Sequence, residues 1–379
     1  MKPPGLLGTT GSIAAAFVDT PEAMRKVGQN TGNLVFQHAV NKLLVEEPTV
    51  IGRDIGWDPH EVNDQCGAIV VPSANFIREK ANFTPMVQFL ESTNLPLLFL
   101  GLGAQADDSN QKLRKLDRSV LRLIDLIRER SPVVSVRGEF TASVLENFKV
   151  KNIEITGCPS NFINPDDRFA ERIAEQLNGS LESFICHAEE PWPKKTEKQR
   201  VERRLFNWAH SGSGVIVQQS VPAMQAYMRR KNPVVTTTQR SSFEESLRRA
   251  LMPDQDLATF RNVMSTKVRS YFSVEQWLED SARFDFSVGP RFHGNMVAFQ
   301  AGTPALWITH DARTRELVAT TGLPSMPLDR FLKSCPTVQS AWAQVRFDPI
   351  EYMNKRKSLW ESFARVAELS GVALKRPIQ

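Results

Sequence analysis

The residues best suited to chemistry are Arg291 and His293, in the run FDFSVGPRFHGNMVAFQAGTPALWITHD at positions 284–311. A guanidinium is a planar fork of donors matched to carboxylate or phosphate. A histidine two residues away can exchange a proton near neutral pH. The pair asks for an anionic ligand and a proton transfer. Arg and His also stand at helix starts for purely structural reasons, so the elements around them must decide.

Residues 284–288 read as a buried strand that ends at Gly289-Pro290. Residues 294–300 read as a helix, which Gly302-Thr303-Pro304 stops, and residues 305–309 as the next strand. Strand, helix, strand is the βαβ unit of a parallel sheet. Ligands of such sheets sit beyond the carboxyl ends of the strands, where Arg291 and His293 fall. A helix N-terminus there adds free N–H groups and a favourable dipole.

A chain of 379 residues exceeds one ordinary core and predicts two domains. With 41% hydrophobic and 23% charged residues it is an ordinary globular composition. The 47 basic residues exceed the 42 acidic ones only mildly. That balance suits anionic substrates, and no basic run is interleaved with stacking aromatics, so a nucleic-acid partner is excluded. Cys66, Cys158, Cys186 and Cys335 lie far apart without a CxxC pair. No zinc site or disulfide framework follows, no metal is expected, and a reducing cytoplasm is the default. Neither a signal peptide nor a spanning segment is read, so any membrane contact is peripheral, at the inner face.

Strands alternate with helices through residues 1–170, as in a doubly wound sheet. Asn33 closes a Gly/Asn-rich loop before a helix at 34–44, and two readings stand: backbone brought close to a ligand, or a plain turn with an Asn cap. Asn75 and Gln105 follow predicted strands at 68–71 and 97–100. Gly101-Leu102-Gly103 is half a dinucleotide fingerprint and lacks its third glycine. The clearest amphipathic helix is 111–130. A strand at 133–136 then delivers Arg137 to the mouth of another helix, repeating the layout around Arg291. Pairing of Arg137 with Glu139 or Glu146 is the competing account.

A second α/β unit is expected over 171–353. His187 and His310 each end a predicted strand there and, with Asp311, Arg313 and Glu316, are placed at the cleft mouth or just behind it. Further strands are read at 215–217 and 234–236. The basic segment from Lys194 to Arg204, with Arg229, Arg230 and Lys231, is either a solvated face or a surface for anionic lipid or glycan. A long helix from 354, within the C-terminal segment 354–379, is read as bracing the first domain. Cys158 and Cys186 read as buried, unreactive thiols.

Taken in order, Asn30-Thr31-Gly32-Asn33, LPLLFLGLGAQ (95–105), VVSVRGEFTASVL (133–145), EITGCPS (154–160) and VGPRFHGNMVAFQAGTPALWITHD (288–311) resemble the polysaccharide pyruvyl transferase family. The resemblance implies two Rossmann-like domains facing across a cleft, as in GT-B glycosyltransferases. It also implies phosphoenolpyruvate as donor, no cofactor, and a saccharide acceptor, lipid-linked or free, that receives a cyclic pyruvate ketal of a bacterial surface polysaccharide. Arg291 matches the family's donor-binding arginine and His293 its histidine, with Arg137 as second donor-binding cation. Asn33, Asn75, Gln105, His187, His310 and Asp311 are the acceptor or cleft candidates. Helix N-termini after both arginines would stabilise departing phosphate. Two departures stand out: the N-terminal Gly-Asn-x-Gly-Asp lacks its Asp, and the usual Gly-Asp-Pro is Gly157-Cys158-Pro159. Competing readings are a GT-B glycosyltransferase with a nucleotide-sugar donor, Glu316 holding the ribose, and a silent glycan-binding protein of this fold. Oligomeric state is not encoded in any of these motifs.

Overall fold

The computed structural model describes residues 2–106, 113, 115–192, 196–229 and 237–375, with backbone alone at 237–239. The strand expected at 234–236 and Lys194, Arg230 and Lys231 lie outside the described residues. The helix expected over 111–130 is shorter: it runs Arg118–Arg130, because Asp117 caps it by accepting from the Ser119 N–H.

Two parallel sheets organise the chain, which is an α/β protein of Rossmann-like architecture. The first runs Thr49–Val50, Gly5–Leu6, Ile69–Pro72, Leu97–Leu100 in space. A parallel bridge from Leu102 to Val136 extends it to the pair Val134–Val136 and Ile153–Ile155. The second sheet has six parallel strands in the order Val268–Arg269, Gly214–Gln218, Phe184–Ala188, Phe286–Gly289, Ala305–Thr309, Ser325–Pro327. Numbered along this half, the order is 3-2-1-4-5-6, the doubly wound pattern. Strands such as LLFL at Leu97–Leu100 and GVIVQ at Gly214–Gln218 are buried throughout, because helices cover both faces of a parallel sheet. The order reverses between Phe184–Ala188 and Phe286–Gly289, so the crevice at their carboxyl ends is framed by His187 and Arg291.

Helices join the halves as well as covering them. Helix Asn33–Leu43 buries Leu34 and Val35 with Met24 and Val27 against Ile185 and Val217 of the second sheet and against Trp277 and Val297 on helices that cover it. Its other end places Val40 and Leu43 on the first sheet, beside Leu6 and Leu98. The final helix, Pro349–Leu369, begins where Asp348 accepts from the Ile350 and Glu351 N–H groups, with Pro349 at its first position. It returns to the first sheet and buries Leu359, Trp360, Phe363 and Val366 there. Among the described residues no helix is long and apolar enough to cross a membrane.

Phe363 is fully buried and packs its ring on Phe162 and Trp360 at 5.4 and 5.8 Å. Phe363→Ala should therefore lower stability by about 3–5 kcal/mol, read by chemical denaturation.

Candidate functional site

Three arginines and one histidine converge where the two sheets face each other. Arg137 ends the strand Val134–Val136 and is 2% exposed. Its Nε donates to the Gly101 carbonyl at 2.8 Å, one terminal nitrogen to Asn75 Oδ1 at 2.8 Å, and the other to the Ser73 carbonyl at 3.0 Å. Neither Glu139 nor Glu146 pairs with it, because the side chain turns in across the strand ends. Gly103 explains the glycine of the GLG loop: a Cβ there would lie 2.6 Å from Asn75 Oδ1 and 2.9 Å from Arg137 Cδ. Gly103 is thus a packing glycine for an arginine.

Arg291 is the N-cap of helix Phe292–Gln300 and makes no side-chain cap. It donates to the Glu189 carbonyl at 3.0 Å and to Ser220 Oγ, and its Nε has no partner among the described residues. His293 lies inside the first turn of that helix, which starts two residues earlier than the sequence pattern predicts. Its ring packs against Phe36 at 5.4 Å, and Cys158 Sγ lies 3.5 Å from its Nε2. Burial first, then the fields of Arg137 and Arg313, hold its proton affinity well below the ordinary histidine value. At neutral pH the ring is therefore uncharged.

Arg313 emerges as the third cation. It contacts Asp311 Oδ2 at 3.4 Å, its Nε is buried without a partner among the described residues, and its field reaches Arg137, Arg291 and His293 alike. The signal in the sequence was its place in the first turn after the strand Ala305–Thr309, on the same sheet edge as Arg291.

The remaining sequence candidates divide between site and scaffold. Asn75 donates to Gln105 Oε1 at 3.2 Å, so the two form one unit that braces Arg137. The Asn33 amide closes on the Val27 and Gly28 carbonyls and pins the loop. In that loop the Thr31 N–H donates to the Gln219 carbonyl at 2.8 Å, bringing Gly32 over His293. His187 is fully buried under Gly294, where any Cβ would meet its Nδ1 at 2.3 Å, and burial lowers its pKa to about 3. It is a neutral wall behind His293. His310 Nε2 lies 3.2 Å from Glu189 and 3.6 Å from Asp311, out of hydrogen-bond alignment with both. Asp311 caps helix Ala312–Thr321 through Thr314; burial opposes its charge, yet Arg313 and His310 keep it ionised. Among the described residues no three His, Cys, Asp or Glu side chains gather into a metal-binding group.

One expectation fails. The helix after Arg137, Glu139–Asn147, does not offer its N-terminus to an anion. Glu316 from the second half occupies it, accepting from the Thr141 N–H at 2.7 Å and from Thr141 Oγ1 at 3.1 Å. The same bonds engage the carboxylate that the nucleotide-sugar reading needs for a ribose. Helix Phe292–Gln300 is left as the uncapped N-terminus beside the arginines.

Behind Arg291 lies a carboxylate pair. Burial would raise the Glu189 carboxyl, but His310, Arg291 and Lys198 together hold it well below the ordinary range. Glu202, 2% exposed, accepts from the Glu189 N–H at 2.9 Å and is pushed up to about 8 by burial. Its folded-state pKa is above the unfolded one, so stability is full below about pH 4.5 and is lost as pH rises toward 8. Glu202→Gln keeps the oxygen and removes that loss. The variant should gain on wild type by about 1–3 kcal/mol between pH 5 and pH 8, measured by denaturation at both values.

A family model described as polysaccharide pyruvyl transferase matches residues 30–312. No curated protein matches the sequence. Among solved structures the chain is similar to Anabaena Alr3699/HepE in complex with UDP, at 10% identity over 98% of each chain and a TM-score of 0.47. It is also similar to the S. aureus MnaA–UDP structure, at 10% identity over 100% of this chain and 92% of that one, TM-score 0.42. Methanocaldococcus jannaschii UDP-GlcNAc 2-epimerase in complex with UDP-GlcNAc and UDP is 10% identical over 95% and 99%, TM-score 0.44. The family match runs through both sheets and takes in Arg137, Arg291 and His293; the chain belongs to the polysaccharide pyruvyl transferase family.

Proposed function

We propose that the protein transfers the enolpyruvyl group of phosphoenolpyruvate to a hydroxyl pair of a saccharide, forming a pyruvate ketal on a bacterial surface polysaccharide. The observation that carries this reading is the grouping of Arg137, Arg291 and Arg313 around a neutral His293. Phosphoenolpyruvate holds a carboxylate and a phosphate in one small molecule, and both need charge-assisted donors. Arg291 and the uncapped N-terminus of helix Phe292–Gln300 suit the phosphate. Arg137 and Arg313, whose fields meet at His293, suit the carboxylate. His293 then stands at the reacting carbons, where one acceptor proton must reach the methylene carbon and the other leaves with phosphate. The saccharide acceptor, lipid-linked or free, enters from the first-half side, at the cytoplasmic face of the membrane.

Folded protein that binds a ligand gains stability by mass action, so a thermal shift tests the donor without a known acceptor. Phosphoenolpyruvate should raise the melting temperature of the wild type. Arg291→Ala and Arg313→Ala should each weaken binding roughly 10- to 100-fold, since each removes a charged hydrogen-bond donor worth about 1.5–3 kcal/mol. A shift with one nucleotide sugar and none with phosphoenolpyruvate would instead make the protein a glycosyltransferase.

His293→Ala should keep the phosphoenolpyruvate shift and lose about 100-fold or more in turnover. Unchanged phosphate release by that variant, with an acceptor present, would remove the proton-transfer role.

A further inference from the structure

His293 lacks the partner that usually fixes an acid–base histidine. Among the described residues no carboxylate touches its ring. Among the described residues the hydrogen-bonding contact of its ring is Cys158, 135 residues earlier in the chain, with Sγ 3.5 Å from Nε2. Cys158 is fully buried, between Gly157 in the left-handed region at φ 72° and Pro159, which opens a short 3-10 turn. Ser160 Oγ, from that turn, donates to the same sulfur at 3.1 Å. With one sulfur lone pair occupied in this way, the thiol hydrogen is free to seek an acceptor, and Nε2 is the acceptor beside it. Phe36, Phe292 and Met296 pack around the group and keep it dry.

We propose that Cys158 is a positioning residue for His293: its thiol donates to Nε2 and holds the ring as the Nδ1–H tautomer. This rests on the pyruvyl-transfer reading and decides whether His293 acts first as an acid toward the methylene carbon or as a base toward an acceptor hydroxyl. A ring with its hydrogen on Nδ1 meets the substrate as a proton donor. A base toward the acceptor hydroxyl would need that nitrogen bare. As Nδ1–H passes to the methylene carbon of the donor, the Sγ–H proton moves onto Nε2, so the ring stays neutral and a thiolate remains. Ser160 Oγ–H and the charges of Arg137 and Arg313, the charged groups whose fields reach the ring, offset that thiolate. The proton of the attacking hydroxyl then enters the ring at the bare Nδ1 while the Nε2 proton returns to Sγ, which restores the thiol; the proton of the second hydroxyl leaves with phosphate. A thiol can serve in this way because it donates to a neutral ring; an ionised carboxylate only accepts and would draw the ring toward the cation.

The test is the tautomer itself. Full-length protein labelled with 15N at its six histidines is followed by long-range nitrogen–proton correlation at neutral pH, with His293 assigned by its loss in His293→Gln. The wild type should show a protonated Nδ1 and an unprotonated Nε2. Cys158→Ala should move the proton to Nε2. Cys158→Ser, whose hydroxyl also donates, should restore the Nδ1–H ring. An Nε2–H ring in the wild type, or one unaltered in Cys158→Ala, overturns the proposal. Thermal shift with phosphoenolpyruvate on the same wild-type sample is read separately. A missing shift would sink the donor assignment and leave the tautomer result standing.

Discussion

The structure depends on keeping a charged guanidinium dry without neutralising it. Arg137 is buried, and its three hydrogen bonds go to two carbonyls and one side-chain amide. Burying a charge is costly unless its donors are satisfied. Carbonyl oxygens satisfy them while leaving the net charge available to a ligand. That solution requires three strand ends at one point: Ser73 after Ile69–Pro72, Gly101 after Leu97–Leu100, and Arg137 itself. A parallel sheet supplies it, because all its carboxyl ends lie on one edge.

The same requirement accounts for much of the surrounding chemistry. Buried, and with Arg137 and Arg313 close by, His293 is held neutral. Gly103 and Gly294 are glycines because Arg137 and His187 fill the space a Cβ would take. The second half repeats the arrangement with Arg291, whose guanidinium rests on a backbone carbonyl and a serine hydroxyl. Acids are kept one layer back: Glu189 is held by His310 and Lys198, Asp311 caps a helix, and Glu202 is protonated. The layer facing the cleft keeps its positive charge.

The two halves are held in register by polar contacts at the site as well as by shared cores. Glu316 crosses to the helix Glu139–Asn147, and Thr31 crosses to Gln219. Helix Asn33–Leu43 lies on both sheets. The site is therefore built at a seam, and elements from both ends of the chain set its geometry.

Periodicity and punctuation in the sequence determined the alternation of buried strands and amphipathic helices. The repeated strand–Arg–helix layout determined that Arg137 and Arg291 would end strands at helix mouths. Those features are local, since a side chain's place on a strand or helix follows from residues within one or two turns of it. What only the tertiary structure decided is which of these ends meet. Arg313 joining the arginines, Glu316 filling a helix N-terminus that looked open to phosphate, Asn75 and Gln105 bracing Arg137, and Cys158 touching His293 all link residues far apart in the chain. Spacing along the sequence carries no measure of those distances, because each crossover helix returns the chain to the same sheet edge whatever its length. Strand order in the two sheets, set by packing of the helices between them, brings those residues together.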